Sequence, residues 1–399
     1  MNHLSAANPV TALAAVCALG LLASCGGGSS VASSGGPIGR PTPAASASIG
    51  PAPPFPLAVA PGFHVSMVAT NVPGARFMAF APNGDLLVSE TGSGAVVKLN
   101  PNGSASQSPV TVAAGLPRPH GLAFHNNDLY IATWDGVSVL RNYPNGKLAA
   151  LYSGLIENPD HNNRALAVSP DGTTIYESYA SNSNMATPPP QSPTENSIVS
   201  MSSSGADVQP YAVGVRNGSG LAFDQSGKLW MVVNQRDNVS ANTNTNDNNP
   251  ADEFDSVQHN ANYGYPNCYP NASGVRVSNP EFPSSNCSGQ PNVTVPILAH
   301  SAPLGVVFYN ATRFPTKYQG AAFVALHGSW NSSVPHGDKV VMIPFSGGSP
   351  SGPPQDFVTG WLSAGSYLGR PAGLAVGPDG SLYVSDDQNG FVYKVTYAP

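Results

Sequence analysis

One unit recurs along the chain, and it constrains the fold more than any other feature. Its copies read Phe77-Met-Ala-Phe-Ala-Pro-Asn-Gly-Asp-Leu-Leu-Val88, Gly121-Leu-Ala-Phe-His-Asn-Asn-Asp-Leu-Tyr130 and Ala165-Leu-Ala-Val-Ser-Pro-Asp-Gly-Thr-Thr-Ile-Tyr176. Three more follow: Gly220-Leu-Ala-Phe-Asp-Gln-Ser-Gly-Lys-Leu-Trp230, a diverged Leu304-Gly-Val-Val-Phe308, and Gly373-Leu-Ala-Val-Gly-Pro-Asp-Gly-Ser-Leu-Tyr383. Each full copy is an apolar strand, a turn rich in Pro, Asn, Asp and Gly, and a second strand, which together make a hairpin. Anchored on Phe80, Phe124, Val168, Phe223, Val307 and Val376, the copies lie 44, 44, 55, 84 and 69 residues apart. A period in the forties is that of a four-stranded propeller blade, and the longer gaps are insertions. Two sandwich domains would not repeat one motif through the whole chain. The expected fold is all-β, a six-bladed propeller of four-stranded antiparallel blades.

Basic residues fall on the repeat. Arg76, Arg118, Arg164, Arg216 and Arg370 each precede the anchor of their copy by four to seven residues, and His300 holds that place in the fifth. Blades are related by rotation, so equivalent loops meet at one end of the channel. The chain has only 16 Lys and Arg and a net charge of −6, which excludes a basic nucleic-acid surface and makes this placement informative. Cations so close repel one another unless an anion joins them, and Arg meets carboxylates bidentately. The expectation is a polycarboxylate or other anion in the funnel; the alternative is that each Arg caps its own blade.

Asp160-His161-Asn-Asn-Arg164 lies on the same face. A histidine held between Asp and Arg in one tautomer suits a general base, although His120 and His327 are rivals. From Asn234-Gln-Arg-Asp237 to Asp252-Glu-Phe-Asp255 the chain is dense in Asn and Asp, a composition that suits Ca²⁺ but lacks EF-hand spacing.

Residues 1–24 read as a secretory signal whose apolar run, Thr11 to Leu22, is too short to span a membrane. Leu22-Ala-Ser-Cys25 resembles a lipobox, so Cys25 is expected to carry lipid and the protein to be periplasmic or at the cell surface. Residues 25–57, rich in Gly, Ser, Pro and Ala, read as a tether, and 58–399 as the propeller. Cys268 and Cys287 then remain in an oxidising compartment and are expected to form a disulfide. No Cys-x-x-Cys-His is present to attach haem.

Several stretches in one order resemble the glucose/sorbosone dehydrogenase family, in its sorbosone- and pyranose-dehydrogenase-like branch. They are His161-x-x-Arg164, Gly214-Val-Arg-Asn217, Asn234-Gln-Arg-Asp237, Asn262-Tyr-Gly-Tyr-Pro266, His300-Ser-Ala-Pro-Leu-Gly305, His327-Gly-Ser-Trp-Asn331, Lys339-Val-Val and Gly369-Arg-Pro-Ala-Gly373. The resemblance implies a six-bladed propeller that uses pyrroloquinoline quinone (PQQ), a tricarboxylate, with Ca²⁺. It implies that His161 takes the proton of a sugar's anomeric hydroxyl while hydride passes to the quinone. Arg216 and Asn217 match the pair at the quinone carbonyls, Arg216 sharing the catalytic role. Lys339 and Arg370 match cations at the cofactor carboxylates, with Arg76, Arg118 and Arg164 as further candidates. Arg236 and Asp237 stand where related enzymes offer carbonyls to Ca²⁺. Partners implied are a sugar substrate and a separate electron acceptor. A calcium-dependent sugar lactonase and a non-catalytic binding propeller are the other readings.

Overall fold

The computed structural model describes residues 50–155, 161, 164–188, 190 and 194–399. The signal, Cys25, the tether up to residue 49 and Asp160 lie outside the described residues.

Six four-stranded antiparallel sheets form the six blades. The inner strands are Ala75–Phe80, Leu122–His125, Leu166–Val168, Gly218–Phe223, Pro303–Phe308 and Pro371–Val376, so every repeat anchor lies on the strand nearest the axis. Blades 1 to 3 are each built from strands consecutive in sequence. Blade 4 consists of Gly218–Phe223, Leu229–Val233, Asp252–Ser256 and Val295–Ile297. The long spacing after it arises from residues 257–294, which leave the blade to form a small hairpin, Cys268–Pro270 with Arg276–Ser278. The expected disulfide between Cys268 and Cys287 is formed there, with Cα atoms 6.0 Å apart. Blade 5 gains a fifth strand, Ala58–Val59, on its outer strand Gln355–Thr359. Blade 6 is closed from the other end of the chain: Phe63–Ala69 pairs with Phe391–Tyr397 as its outermost strand.

Apolar side chains meet chiefly between blades. Trp230 and Phe254 of blade 4, for example, pack with Phe308, Val324 and Val341 of blade 5. At the axis the repeat's glycine has a physical reason. A Cβ on Gly220 would lie 2.2 Å from the Leu304 carbonyl oxygen, and one on Gly373 2.2 Å from that of Arg76. Neighbouring inner strands approach so closely that no side chain fits between them. All six inner strands line a small axial cavity of about 60 Å³. The residues just before them form the rim of that axis at one end.

Candidate functional site

The arginines at that rim follow one pattern. Each reaches the loop that follows the second strand of the preceding blade, except Arg118. Arg164 donates from Nε (3.1 Å) and Nη2 (2.8 Å) to the Trp134 carbonyl and lies 4.4 Å from the Tyr179 ring. Arg216 reaches the Asn184 carbonyl and side chain, Arg370 the carbonyls of His327 (3.2 Å) and Gly328 (3.4 Å), and Arg76 the carboxylate of Asp387. Arg118, at a positive φ of 49°, is exposed and lies 5.8 Å from the Trp134 ring. The cations converge on one rim, and most are bonded to a neighbouring blade rather than to their own.

A cavity of about 460 Å³ opens beside this rim across blades 3 to 5, and His161, Arg216, Asn217, Asp237 and His300 line it. Arg216 is its buried centre, 3% exposed. Its Nε donates to the Asn184 carbonyl (3.1 Å), Nη2 to Asn184 Oδ1 (2.8 Å), and Nη1 to the carbonyls of Asn234 (3.2 Å) and Gln235 (2.7 Å). These four bonds leave one Nη2 hydrogen for a ligand. The amide oxygens of Asn217, Asn234 and Gln235, all three on the lining, are buried without a hydrogen-bond donor.

The two histidines in the cavity differ in charge. His161 Nδ1 lies 2.8 Å from the Ser181 carbonyl, which can only accept, so Nδ1 carries the proton and Nε2 the lone pair. Burial, then the neighbouring Arg216 charge, push its pKa down to about 4, against the pull of the Ser181 carbonyl and Asp237. His300 has an acceptor at each nitrogen: the Asn246 carbonyl at 2.8 Å from Nε2 and Asp237 Oδ1 at 3.3 Å from Nδ1. Burial opposes its charge, but these partners and Asp252 carry its pKa above the usual value. Asp237 is thus answered by His300. Asp252 accepts the backbone N–H groups of Gln235 and Ala302, both at 2.9 Å, and burial lifts it to about 7.

Of the rival histidines, His327 gives Nε2 to Asp387 at 2.8 Å, and that carboxylate, though buried, is held down to about 2 by His327 and Arg76. His120 is 2% exposed, and burial with the charges of Arg76, Arg118 and Arg164 keeps it neutral. Neither lines the cavity, whereas His161 does.

Three expected residues stand elsewhere or do something else. Lys339, at the start of the third strand of blade 5, pairs with Asp356 at 2.6 Å on the adjacent outer strand and does not join the cavity lining. Its nearest carboxylate lies across its own sheet. Arg236 bonds Asn279 Oδ1 (3.1 Å) and Glu281 (2.5 Å), and the Asp237 carbonyl accepts the Asn184 amide at 3.0 Å. The Arg236 guanidinium and the Asp237 carbonyl thus each hold a protein partner. Among the described residues no cluster of three or more His, Cys, Asp or Glu could hold a metal.

Sequence reasoning missed Asn184, Gln235, Asp252 and Trp330. Asn184 follows no repeat signal. Asp252 stood in the acid-rich run read as a metal loop, yet Asp252–Ser256 is a wholly buried strand. Trp330 was visible in His327-Gly-Ser-Trp-Asn331, and it lines the cavity while remaining 71% exposed.

Comparison with known proteins agrees with this architecture. The chain is 27% identical over 308 residues to an uncharacterized protein of Borreliella burgdorferi, covering 72% of this chain and 78% of that one. It is 25% identical to the pyrroloquinoline quinone-dependent pyranose dehydrogenase of Coprinopsis cinerea, over 86% of this chain. The chain spans about half (55%) of that relative's length. The solved holo form of the Coprinopsis PQQ domain has the same fold, with a TM-score of 0.75 at 24% identity, covering 87% of this chain and 98% of that one. The model of the TrAA12-like family matches residues 57–398, and the chain belongs to that family.

Proposed function

We propose that this chain is a quinoprotein sugar dehydrogenase that oxidises the anomeric carbon of an aldose, pyranose or sorbosone-type sugar with PQQ as hydride acceptor. The observation that carries the reading is a neutral histidine, His161, sharing one cavity with the buried Arg216–Asn217 pair. The chemistry of the lining suits both guests. Arg216 keeps a hydrogen for a carbonyl oxygen, and the orphaned amide oxygens of Asn217, Asn234 and Gln235 suit the hydroxyl donors of a sugar. Arg76 and Arg370 supply positive charge at the same rim for the carboxylates of the cofactor. Similarity to a PQQ-dependent pyranose dehydrogenase, at 25% identity over 86% of this chain, supports the reading.

When bound, the quinone supplies an electron sink for hydride from the sugar. The chain's residues do the rest. His161 Nε2 takes the proton of the anomeric hydroxyl, and the Ser181 carbonyl at Nδ1 fixes the ring in that tautomer. Arg216 and Asn217 stabilise negative charge that develops on the acceptor's carbonyl oxygen, in a site already built before the reaction. The product is a lactone or acid, and two electrons leave to a separate acceptor. No step is routed through Ca²⁺. Export with lipid attachment at Cys25 completes the proposal.

The test is titration of the purified chain with PQQ, followed by quinone absorbance, then dye reduction over a panel of aldoses, pyranoses and sorbosone. Saturable binding and sugar-dependent reduction are expected. A chain that binds no quinone ends the proposal.

A further inference from the structure

Residues 257–294 interrupt blade 4 more than any other stretch interrupts the repeat, and no residue of this insertion lines the cavity. They nevertheless hold the cavity from behind. Arg276, in the insertion's hairpin, donates from Nη1 (2.9 Å) and Nη2 (2.5 Å) to the two oxygens of Glu253, and each side chain is 1% exposed. Glu253 in turn accepts the side-chain amide of Gln235. The Gln235 carbonyl is the closest partner of Arg216 (2.7 Å), and its N–H bonds Asp252 at 2.9 Å. The next residue is gripped from the same side, since Arg236 bonds Asn279 and Glu281 of the insertion.

The insertion is itself braced. Arg276 Nε donates to the Pro291 carbonyl (3.0 Å), its backbone N–H to Asn292 (3.2 Å), and Cys268–Cys287 closes the loop. A buried ion pair is poor value as a stabiliser, because desolvation cancels most of the attraction. One that ends on the residue orienting a site's central arginine has a use that packing alone does not supply.

We propose that the disulfide-closed insertion is a positioning element for Arg216, acting through Arg276, Glu253 and Gln235. This rests on the quinoprotein reading for its effect on turnover, though not for its effect on Arg216 itself. Neither Arg276 nor Glu253 touches the cavity, so both are positioning residues.

Three variants of the full chain test it. Glu253→Gln with Arg276→Met removes both charges of the pair together, so that neither is left buried without the other, and costs Asp255 its 3.6 Å contact with Arg276. Cys268→Ser with Cys287→Ser opens the loop, and Arg276→Lys keeps the charge while losing the two-pronged contact. Folding is checked by circular dichroism and thermal midpoint. Three readouts follow: hydrogen exchange of the Arg216 Nε–H in the apo-protein, PQQ affinity, and kcat and KM for the best sugar. In the Glu253→Gln/Arg276→Met protein we expect Arg216 exchange to speed by about tenfold or more and kcat to fall by up to about 10²-fold, with sugar KM within about twofold. The serine pair and Arg276→Lys should move in the same direction, less far. Any folded variant of the three with wild-type Arg216 exchange, quinone affinity and kcat overturns the proposal, and Arg276→Lys or the serine pair decides if the double charge variant does not fold. A wild type that binds no PQQ would fail the functional reading alone, because Arg216 exchange still reads the positioning.

Discussion

His161 and His300 face one cavity, yet their surroundings demand opposite charge states. His161 has a carbonyl at one nitrogen and an arginine nearby; His300 has an acceptor at both. A base with a pKa near 4 is unprotonated throughout the neutral range, so turnover should be flat there and fall on an acid limb near pH 4. The stability signs also differ. The unfolded imidazole takes its proton near 6.5, so the buried neutral His161 contributes stability that is full above 6.5 and lost as pH falls toward 4. His300 contributes at low pH and loses its contribution as pH rises through its raised value. Thermal midpoints against pH should therefore fall on both sides; His300→Asn should remove the alkaline fall and spare the acid one. At the same scale, His161→Ala should lower kcat by about 10²- to 10⁴-fold and leave PQQ affinity within a few-fold. Titration and steady-state assay separate the two. A collapse of quinone affinity would show that His161 holds the cofactor instead of the substrate proton.

Between elements, contact is made backbone to backbone at the axis and by arginine at the rim. Gly121, Gly220, Gly305 and Gly373 each face the backbone of the next inner strand, with room for no Cβ. Gly220→Ala must push against the Leu304 carbonyl or shift blade 4 against blade 5, so we expect a loss of about 1–3 kcal/mol, read by denaturant unfolding. Gly84→Ala has open space around its Cβ and a positive φ of 89°. It should cost backbone strain and leave blade-to-blade contacts intact, a useful control. This scale marks how far the sequence could be read. The blade count was legible because anchors such as Phe80 and Val376 recur in one motif and fall on the inner strand of their blades. The site was partly legible: repeat position placed Arg76, Arg164, Arg216 and Arg370 at one rim. Their acceptors were not, since a sequence does not mark which carbonyl of a neighbouring blade lacks a donor. The pairing of Lys339 was not legible for the same reason, because its partner Asp356 lies 17 residues on but on the adjacent strand. Asn184 was invisible because it follows no repeat signal, and Gln235 stood in Asn234-Gln-Arg-Asp237 without a role because a motif does not record the partners of its backbone and amide groups.

A propeller is a ring, and a ring has one seam. Here the seam lies within blade 6, where Phe63–Ala69 from one end of the domain pairs with Phe391–Tyr397 from the other. Its lock is aromatic: the Phe63 ring meets Phe314, Phe357 and Tyr397 with centroids 4.9, 5.1 and 4.9 Å away. Without that strand, Phe391–Tyr397 becomes an unpaired edge and Phe314 loses part of its cover. Phe63→Ala should cost about 3–5 kcal/mol, the range for an aromatic removed from a packed core. Its consequences should differ from those of Gly220→Ala. An opened seam frees blade 6 from blade 1, so amide exchange should quicken in strands such as Leu382–Asp386 and Ala75–Phe80 before it does in blades 3 and 4. A chain beginning at Thr70 should be open in the same way, and a peptide of residues 58–69 added in trans should restore slow exchange and a single unfolding transition. If exchange instead quickened evenly through all six blades, the seam would carry no special share of the ring's stability, and closure would be spread over every blade-to-blade contact.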